Sequence, residues 1–115
     1  MVEKKYIPER GDIVWLNFNP QSGHEQKGKR PAVVISPKKY NEKTGLGLFC
    51  PITSKIKNYP FEVSIDNKKI NGVVLSDQIK SLDWETRKIE FIIKANRDEV
   101  DDIIDKIGVL LSDSS

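Results

Sequence analysis

Asp12-Ile13-Val14-Trp15-Leu16-Asn17-Phe18 is rich in β-branched and aromatic residues and reads as a β-strand. Its counterpart, Pro31-Ala32-Val33-Val34-Ile35-Ser36, is almost wholly apolar, the composition of a strand covered on both faces. Between them, Gly23-His24-Glu25-Gln26-Lys27-Gly28-Lys29-Arg30 collects the only histidine, a carboxylate, an amide and three cations. A polar loop carried by two strands is where a rigid scaffold commonly holds function. Acid/base groups beside cations suit chemistry on a phosphate ester, although a solvated hairpin loop would have the same charge and glycine content.

Further strand-like runs extend in the C-terminal direction. Leu46–Thr53 follows the turn Thr44-Gly45, and Pro60–Ile65 sets Phe61, Val63 and Ile65 against Glu62 and Ser64 with period two. Asn71-Gly72 marks a turn into Val73–Ser76, and Ile89–Lys94 is the last apolar run. Short strands at this spacing predict a small barrel or sandwich. Lys38–Lys43, after Pro37, is expected to form a short helix or turn. Past residue 96 the period changes: Val100, Ile103, Ile104, Ile107, Leu110 and Leu111 share one helical face, which should pack on the barrel. Asn96 with Glu99 three residues on has the form of a cap, and Asp98, Glu99, Asp101 and Asp102 suit the positive end of the helix dipole.

A chain of 115 residues is one domain's worth, so residues 1–115 are read as a single domain with enough core to need no staples. The single cysteine, Cys50, lies in an apolar run and is expected to be a small buried hydrophobe, which favours a reducing compartment. No apolar run approaches the ~20 residues of a membrane span, and the start has no signal-like core, so the expected location is cytoplasmic. The net charge of +2 is uneven. Residues 1–97 hold 18 Lys/Arg against 11 Asp/Glu, giving +7, and residues 98–115 hold one Lys against six acids, giving −5. A basic body is the electrostatic minimum for binding a phosphate backbone.

Five pieces occur in order: Arg10-Gly11-Asp12-Ile13-Val14-Trp15, Gly23-His24-Glu25-Gln26, Arg30-Pro31-Ala32-Val33-Val34, Pro51-Ile52-Thr53-Ser54 and Gly72-Val73-Val74-Leu75-Ser76-Asp77-Gln78. No single piece is specific, but together, from about Tyr6 through Trp84, the chain resembles the MazF/PemK family of bacterial toxins. The resemblance implies a mainly β fold with α, a small SH3-like β-barrel with appended helices, including an amphipathic C-terminal helix at about 97–112, assembled as a homodimer. It implies a sequence-specific, metal-independent endoribonuclease that cuts single-stranded RNA. It further implies a cognate, MazE-like antitoxin whose acidic segment covers the basic groove, and promoter DNA bound mainly through the antitoxin complex. A toxin group of the same fold that poisons DNA gyrase by binding it is the alternative.

Metal-free RNA cleavage can use the ribose 2′-OH as nucleophile, with a base to take its proton, an acid for the leaving 5′-oxygen and a cation for the charge gathering on phosphorus oxygens. Arg30 offers a planar fork matched to two phosphate oxygens, and it matches the catalytic arginine of the family's Arg-Pro motif. Thr53, which matches a second catalytic residue, can donate its hydroxyl without a pKa penalty, and Ser54 offers a neighbouring one. His24 can titrate near neutral pH, but MazF-like members often carry Ser there, so it joins a PemK-like feature to a MazF-like chain. Glu25 is the other candidate base, or an ion-pair partner of Arg30, and the roles of acid and base stay open among His24, Glu25 and Arg30. Gln26, Lys29, Gln78, Lys57 and Lys80 are candidate RNA contacts. Asp77 matches a catalytic aspartate of the PemK branch, but the arginine that accompanies it there is Leu75 here. Phe18, Tyr40, Tyr59 and Trp84 are candidates for stacking on bases, whereas Trp15 and Phe61 are expected in the core. One histidine and no cysteine cluster suggest no metal site, and no cofactor is expected.

Overall fold

The computed structural model describes residues 5–19 and 28–112. Among these, seven strands form one curled, half-barrel sheet: β1 (Asp12–Asn17), β2 (Lys29–Val34), β3 (Leu46–Thr53), β4 (Glu62–Asp66), β5 (Asn71–Leu75), β6 (Lys80–Asp83) and β7 (Glu90–Lys94). Two helices accompany them, α1 (Lys38–Thr44) and α2 (Arg97–Ser112). The mainly β architecture with an appended C-terminal helix agrees with the sequence reading. Strand β6 and the short 3-10 turns Ser76–Gln78 and Trp84–Thr86 are additions to it. β6 carries only Leu82 as an apolar residue, too little pattern to be read from periodicity.

The sheet runs β4-β5-β3-β2-β1-β7, all neighbours antiparallel, with β6 also on β3. The long strand β3 makes this possible. Its residues 46–49 pair with β6, and Ile52 and Thr53 pair with β5. Pro51, which has no N–H to give a ladder, lies where one partner ends and the next begins. The sheet can therefore divide and curl at this point.

Strands β1, β2 and β3 are buried on both faces, as their apolar runs require. One face gives Ile13, Val33, Cys50 and Ile52 to a core closed by Val63, Ile65 and Val74 and by Val100 and Ile103 of α2. The other gives Val14, Leu16, Ala32, Val34 and Phe49 to a second core closed by Leu82 and Trp84. Trp84 is thus a buried side chain and no base-stacking surface, while Trp15 and Phe61, expected inside, are only half-buried. The indole N–H explains the difference: it donates to the backbone carbonyl of Asn41 at 3.1 Å, so the large ring is buried with its one polar atom satisfied.

Asn41, wholly buried on α1, holds that corner together. Its Nδ2 donates to the carbonyls of Pro8 (2.8 Å) and Ser36 (3.1 Å), and its Oδ1 accepts from Ser36 Oγ (2.5 Å). At α2 the expected cap is present: the Asn96 N–H donates to Glu99 Oε1 at 3.0 Å. The helix outruns the sheet. Val100 and Ile103 are buried, but Leu110 and Leu111, expected on the packed face, are exposed, because 16 residues span about 24 Å. Cys50 is a buried free thiol, and burial pushes its pKa up to about 12, assisted by the nearby Asp77 charge. No helix among the described residues is long and apolar enough to cross a membrane.

Candidate active site

Arg30 lies on β2, opposite Leu16 of β1 and beyond the residues that pair with β3. Its side chain lines two hollows. One, of about 530 Å³, is shared with Phe18, Asn19, Gly28, Pro51, Gln78 and Lys80. The other, of about 510 Å³, is shared with Thr53, Ser54, Lys55 and Asn71. A third, of about 240 Å³, adjoins both through Thr53 and Gln78. Together they make one continuous groove with Arg30 and Thr53 at its centre. Among the described residues no carboxylate lies within ion-pair distance of Arg30, so its fork of donors is presented to the groove.

Two close backbone approaches shape this centre. Gly72 on β5 faces Thr53 so tightly that a Cβ there would lie 2.4 Å from the Thr53 carbonyl oxygen. The Thr53 hydroxyl accepts from the Lys55 N–H at 3.2 Å, which leaves its own proton free to donate. Gly28 packs against Asn17 and Asn19, where a Cβ would fall 2.3 Å from Asn17 Oδ1, and its carbonyl accepts from the Phe18 N–H at 2.7 Å. Arg87 braces the same corner. It donates to the carbonyls of Asn17 (3.1 Å) and Phe18 (3.0 Å) and to Asp83 Oδ1 (2.7 Å). Hydrogen bonds from Thr86 and then Arg87 hold the Asp83 carboxyl below its ordinary pKa. Lys80 reaches over the Phe18 ring, 5.9 Å from its centre, placing a cation and an aromatic face at one end of the groove.

The sequence candidates sort clearly. Arg30, Thr53, Ser54, Lys57, Gln78 and Lys80 all line the groove. Lys29, next to Arg30 on a strand whose side chains alternate, instead forms an ion pair with Glu90 of β7 at 2.7 Å. Asp77 accepts from the Tyr59 hydroxyl at 2.5 Å, and that bond pushes the Tyr59 pKa up to about 12. Tyr40 is exposed on α1 and lines none of these hollows, whereas Phe18 and Tyr59 do line the groove. His24, Glu25 and Gln26 lie outside the described residues. Asn19, Lys55 and Asn71 line the groove without having been singled out from sequence. Lys55 was the readable one, two residues past Thr53 on the same basic loop. Among the described residues no group of His, Cys, Asp and Glu comes together as a metal-ligand set.

A family model described as the PemK-like, MazF-like toxin of type II toxin–antitoxin systems matches residues 9–111. This chain belongs to that toxin family. The endoribonuclease toxin MazF of Escherichia coli K12 is 49% identical over 83 residues, which cover 72% of this chain and 75% of that protein. Among solved structures, MazF from Deinococcus radiodurans superposes with a TM-score of 0.85 at 48% identity, over 95% of this chain and all of that one. A MazE–MazF complex from the same organism matches with a TM-score of 0.84 at 43% identity, over 96% of this chain and all of that one.

Proposed function

We propose that this endoribonuclease toxin of a type II toxin–antitoxin system cuts single-stranded RNA in the Arg30–Thr53 groove, without a metal. The ribose 2′-OH attacks the adjacent phosphorus. A bond forms from O2′ to phosphorus, the bond to the 5′-oxygen breaks, and the products are a 2′,3′-cyclic phosphate and a 5′-hydroxyl. The Arg30 guanidinium stabilises the charge that builds on the non-bridging oxygens. The Thr53 hydroxyl, and beside it Ser54, donate to the same phosphate. Proton transfer is assigned within His24, Glu25 and Arg30, and because a guanidinium gives up its proton so reluctantly, His24 and Glu25 are the better proton carriers. Lys55, Lys57 and Lys80 attract the flanking phosphates. Single strands suit the site because unstacked bases present their edges and the 2′-OH.

The observation that carries this reading is the position of Arg30. It joins two polar hollows, stands beside Thr53 and forms no ion pair among the described residues. The protein works in the cytoplasm, where mRNA is its substrate. An antitoxin partner follows from family membership, and an acidic antitoxin segment folding onto the groove would neutralise its cations and cover Arg30. Promoter DNA is bound through that complex. A second copy of the chain completes a homodimer, for which exposed Phe91 on the edge strand and Val109, Leu110 and Leu111 on α2 supply apolar surface. The test is incubation of the purified protein with long single-stranded RNA in excess EDTA, with all new ends mapped. Discrete cuts bearing 5′-hydroxyls, absent with Arg30→Ala and Thr53→Ala, are expected. Intact RNA across pools containing every short motif would overturn the reading.

A further inference from the structure

Another hollow, of about 580 Å³, lies at the opposite end of β1 and β2 from Arg30. β1 meets the groove beside Phe18 and this hollow beside Gly11, roughly 20 Å apart along an extended strand. Pro37, Ala95, Val100 and Ile104 give the hollow an apolar floor. Its rim carries Arg10, Lys38, Lys94 and Arg97, together with the carboxylates of Glu9 and Asp101. We propose that it binds a nucleoside monophosphate, with Arg10, Lys38 and Arg97 on the phosphate, the base on the apolar floor and Asp101 on an amino group of the base. This site is separate from the RNA groove and does not depend on the ribonuclease reading.

The rim charges divide into those already matched and those left over. Lys94 lies 3.0 Å from Glu9 and 2.6 Å from Asp12, so Lys94 and Glu9 answer each other. Arg10, Lys38, Arg97 and Asp101 form no ion pair among the described residues. Arg10 is held in place through Nε, which donates to the Ile35 carbonyl at 2.6 Å, and both its Nη groups are left for a ligand. Three unmatched cations suit a phosphate monoester, whose charge near neutral pH is about −1.5 to −2, better than a single carboxylate. An apolar floor suits a flat organic body and offers nothing to a bare ion. Asp101, an acceptor when ionised, suits the exocyclic amine of a base such as cytosine and finds no such donor on uracil.

The walls are fixed before any ligand arrives. Gly11, at φ +92°, donates its N–H to the Val34 carbonyl and accepts from the Ala95 N–H, both at 2.8 Å. A Cβ there would lie 3.5 Å from Val100 Cγ2 and 3.6 Å from Lys94 Cδ, so the 9–11 turn packs directly on α2 and β7. Ala95 and Val100 are buried, which anchors the floor in the first core. A site that needs little ordering on binding retains more of its contact energy as affinity.

The experiment is titration calorimetry with cytidine monophosphate, uridine monophosphate, cytidine and inorganic phosphate, with methyl NMR spectra recorded alongside. Cytidine monophosphate should bind with a Kd below ~1 mM, at least about tenfold tighter than cytidine or phosphate alone. It should bind about fivefold tighter than uridine monophosphate, and Asp101→Ala should erase that difference. The methyl groups of Val100 and Ile104 should shift. Lys38→Ala and Arg97→Ala, at exposed positions, should each weaken binding by about tenfold while RNA cleavage is unchanged. Arg30→Ala should leave the affinity for cytidine monophosphate as it is. Thermal unfolding of each variant confirms that it folds. No binding at ~5 mM, or the same affinity in Lys38→Ala and Arg97→Ala as in the wild type, overturns the site. Binding that is lost in Arg30→Ala places the nucleotide in the RNA groove and overturns it as well. Phosphate binding as tightly as cytidine monophosphate removes the base from the proposal, and equal affinity of the wild type for the two nucleotides removes Asp101. A protein that cuts no RNA but binds cytidine monophosphate in this pattern leaves the site standing while the ribonuclease reading falls.

Discussion

The two flanks of the β1–β2–β3 unit handle charge in opposite ways. Towards β7 and the N-terminal segment, cations are paired. Lys94 lies 2.6 Å from the buried carboxylate of Asp12 and 3.0 Å from Glu9, Lys29 is bonded to Glu90, and Lys5 to Glu85. Burial alone would lower the Lys94 pKa, but the Asp12 and Glu9 carboxylates overcome it and raise it. Towards the groove, Arg30, Lys55, Lys57 and Lys80 have no carboxylate within ion-pair distance among the described residues. The first flank uses charge to hold the fold. The second leaves like charges near one another, an arrangement that a polyanion relieves. The division passes between adjacent residues of one strand, Lys29 and Arg30, because successive side chains of a strand point to opposite faces.

That division can be broken most sharply at those two positions. Arg30→Ala should lower cleavage by about a hundredfold or more, the usual loss when a donor to transition-state charge is removed. Lys29→Ala removes an exposed ion pair and should leave cleavage within about fivefold. Equal losses, in rates measured on one RNA, would show that the groove does not distinguish the two cations.

Stability should respond in the opposite place. Trp84→Ala empties the second core and strips Asn41 of a bond, so it should cost about 3–5 kcal/mol in chemical denaturation. Substitutions of the exposed Lys57 or Lys80 should cost well under about 1 kcal/mol. A groove lysine as costly as Trp84 would show that the two regions are not separable.

The smallest effect refines the groove side. Tyr59 donates to Asp77 only while protonated, and its pKa is raised from 10.0 to about 12. A raised folded-state value means that the brace is fully present below pH 10, the unfolded value, and is lost as pH rises through about 12. Tyrosinate absorbance should show Tyr6, held up by burial and by Asp12, and Tyr59 both titrating late, and only the Tyr59 step should move to lower pH in Asp77→Ala. A titration that does not move would remove the brace from the account.

Much of this protein is written locally in its sequence. Apolar and β-branched runs marked β1, β2 and β3 as strands, and the almost wholly apolar 31–36 run as one covered on both faces, since such a run needs a core above and below. A change of period marked α2, and Asn96 with Glu99 its start, because capping depends on neighbours three residues apart. Arg30 and Thr53 were singled out through the family resemblance carried by the ordered motifs, to which a guanidinium and a hydroxyl suited to a phosphate add chemical sense. Other properties depend on residues distant in the chain. Whether Trp84 is buried depends on an Asn41 carbonyl 43 positions away, and whether Lys29 faces RNA depends on Glu90, 61 positions away. That Tyr59 and Gln78 share a hollow follows from the pairing of β3, β4 and β5, which brings the 54–59 loop against the 76–78 turn. Composition and period govern what one segment wants to bury. Which side chains end up facing each other is decided by the closure of the sheet, and only the folded chain supplies that.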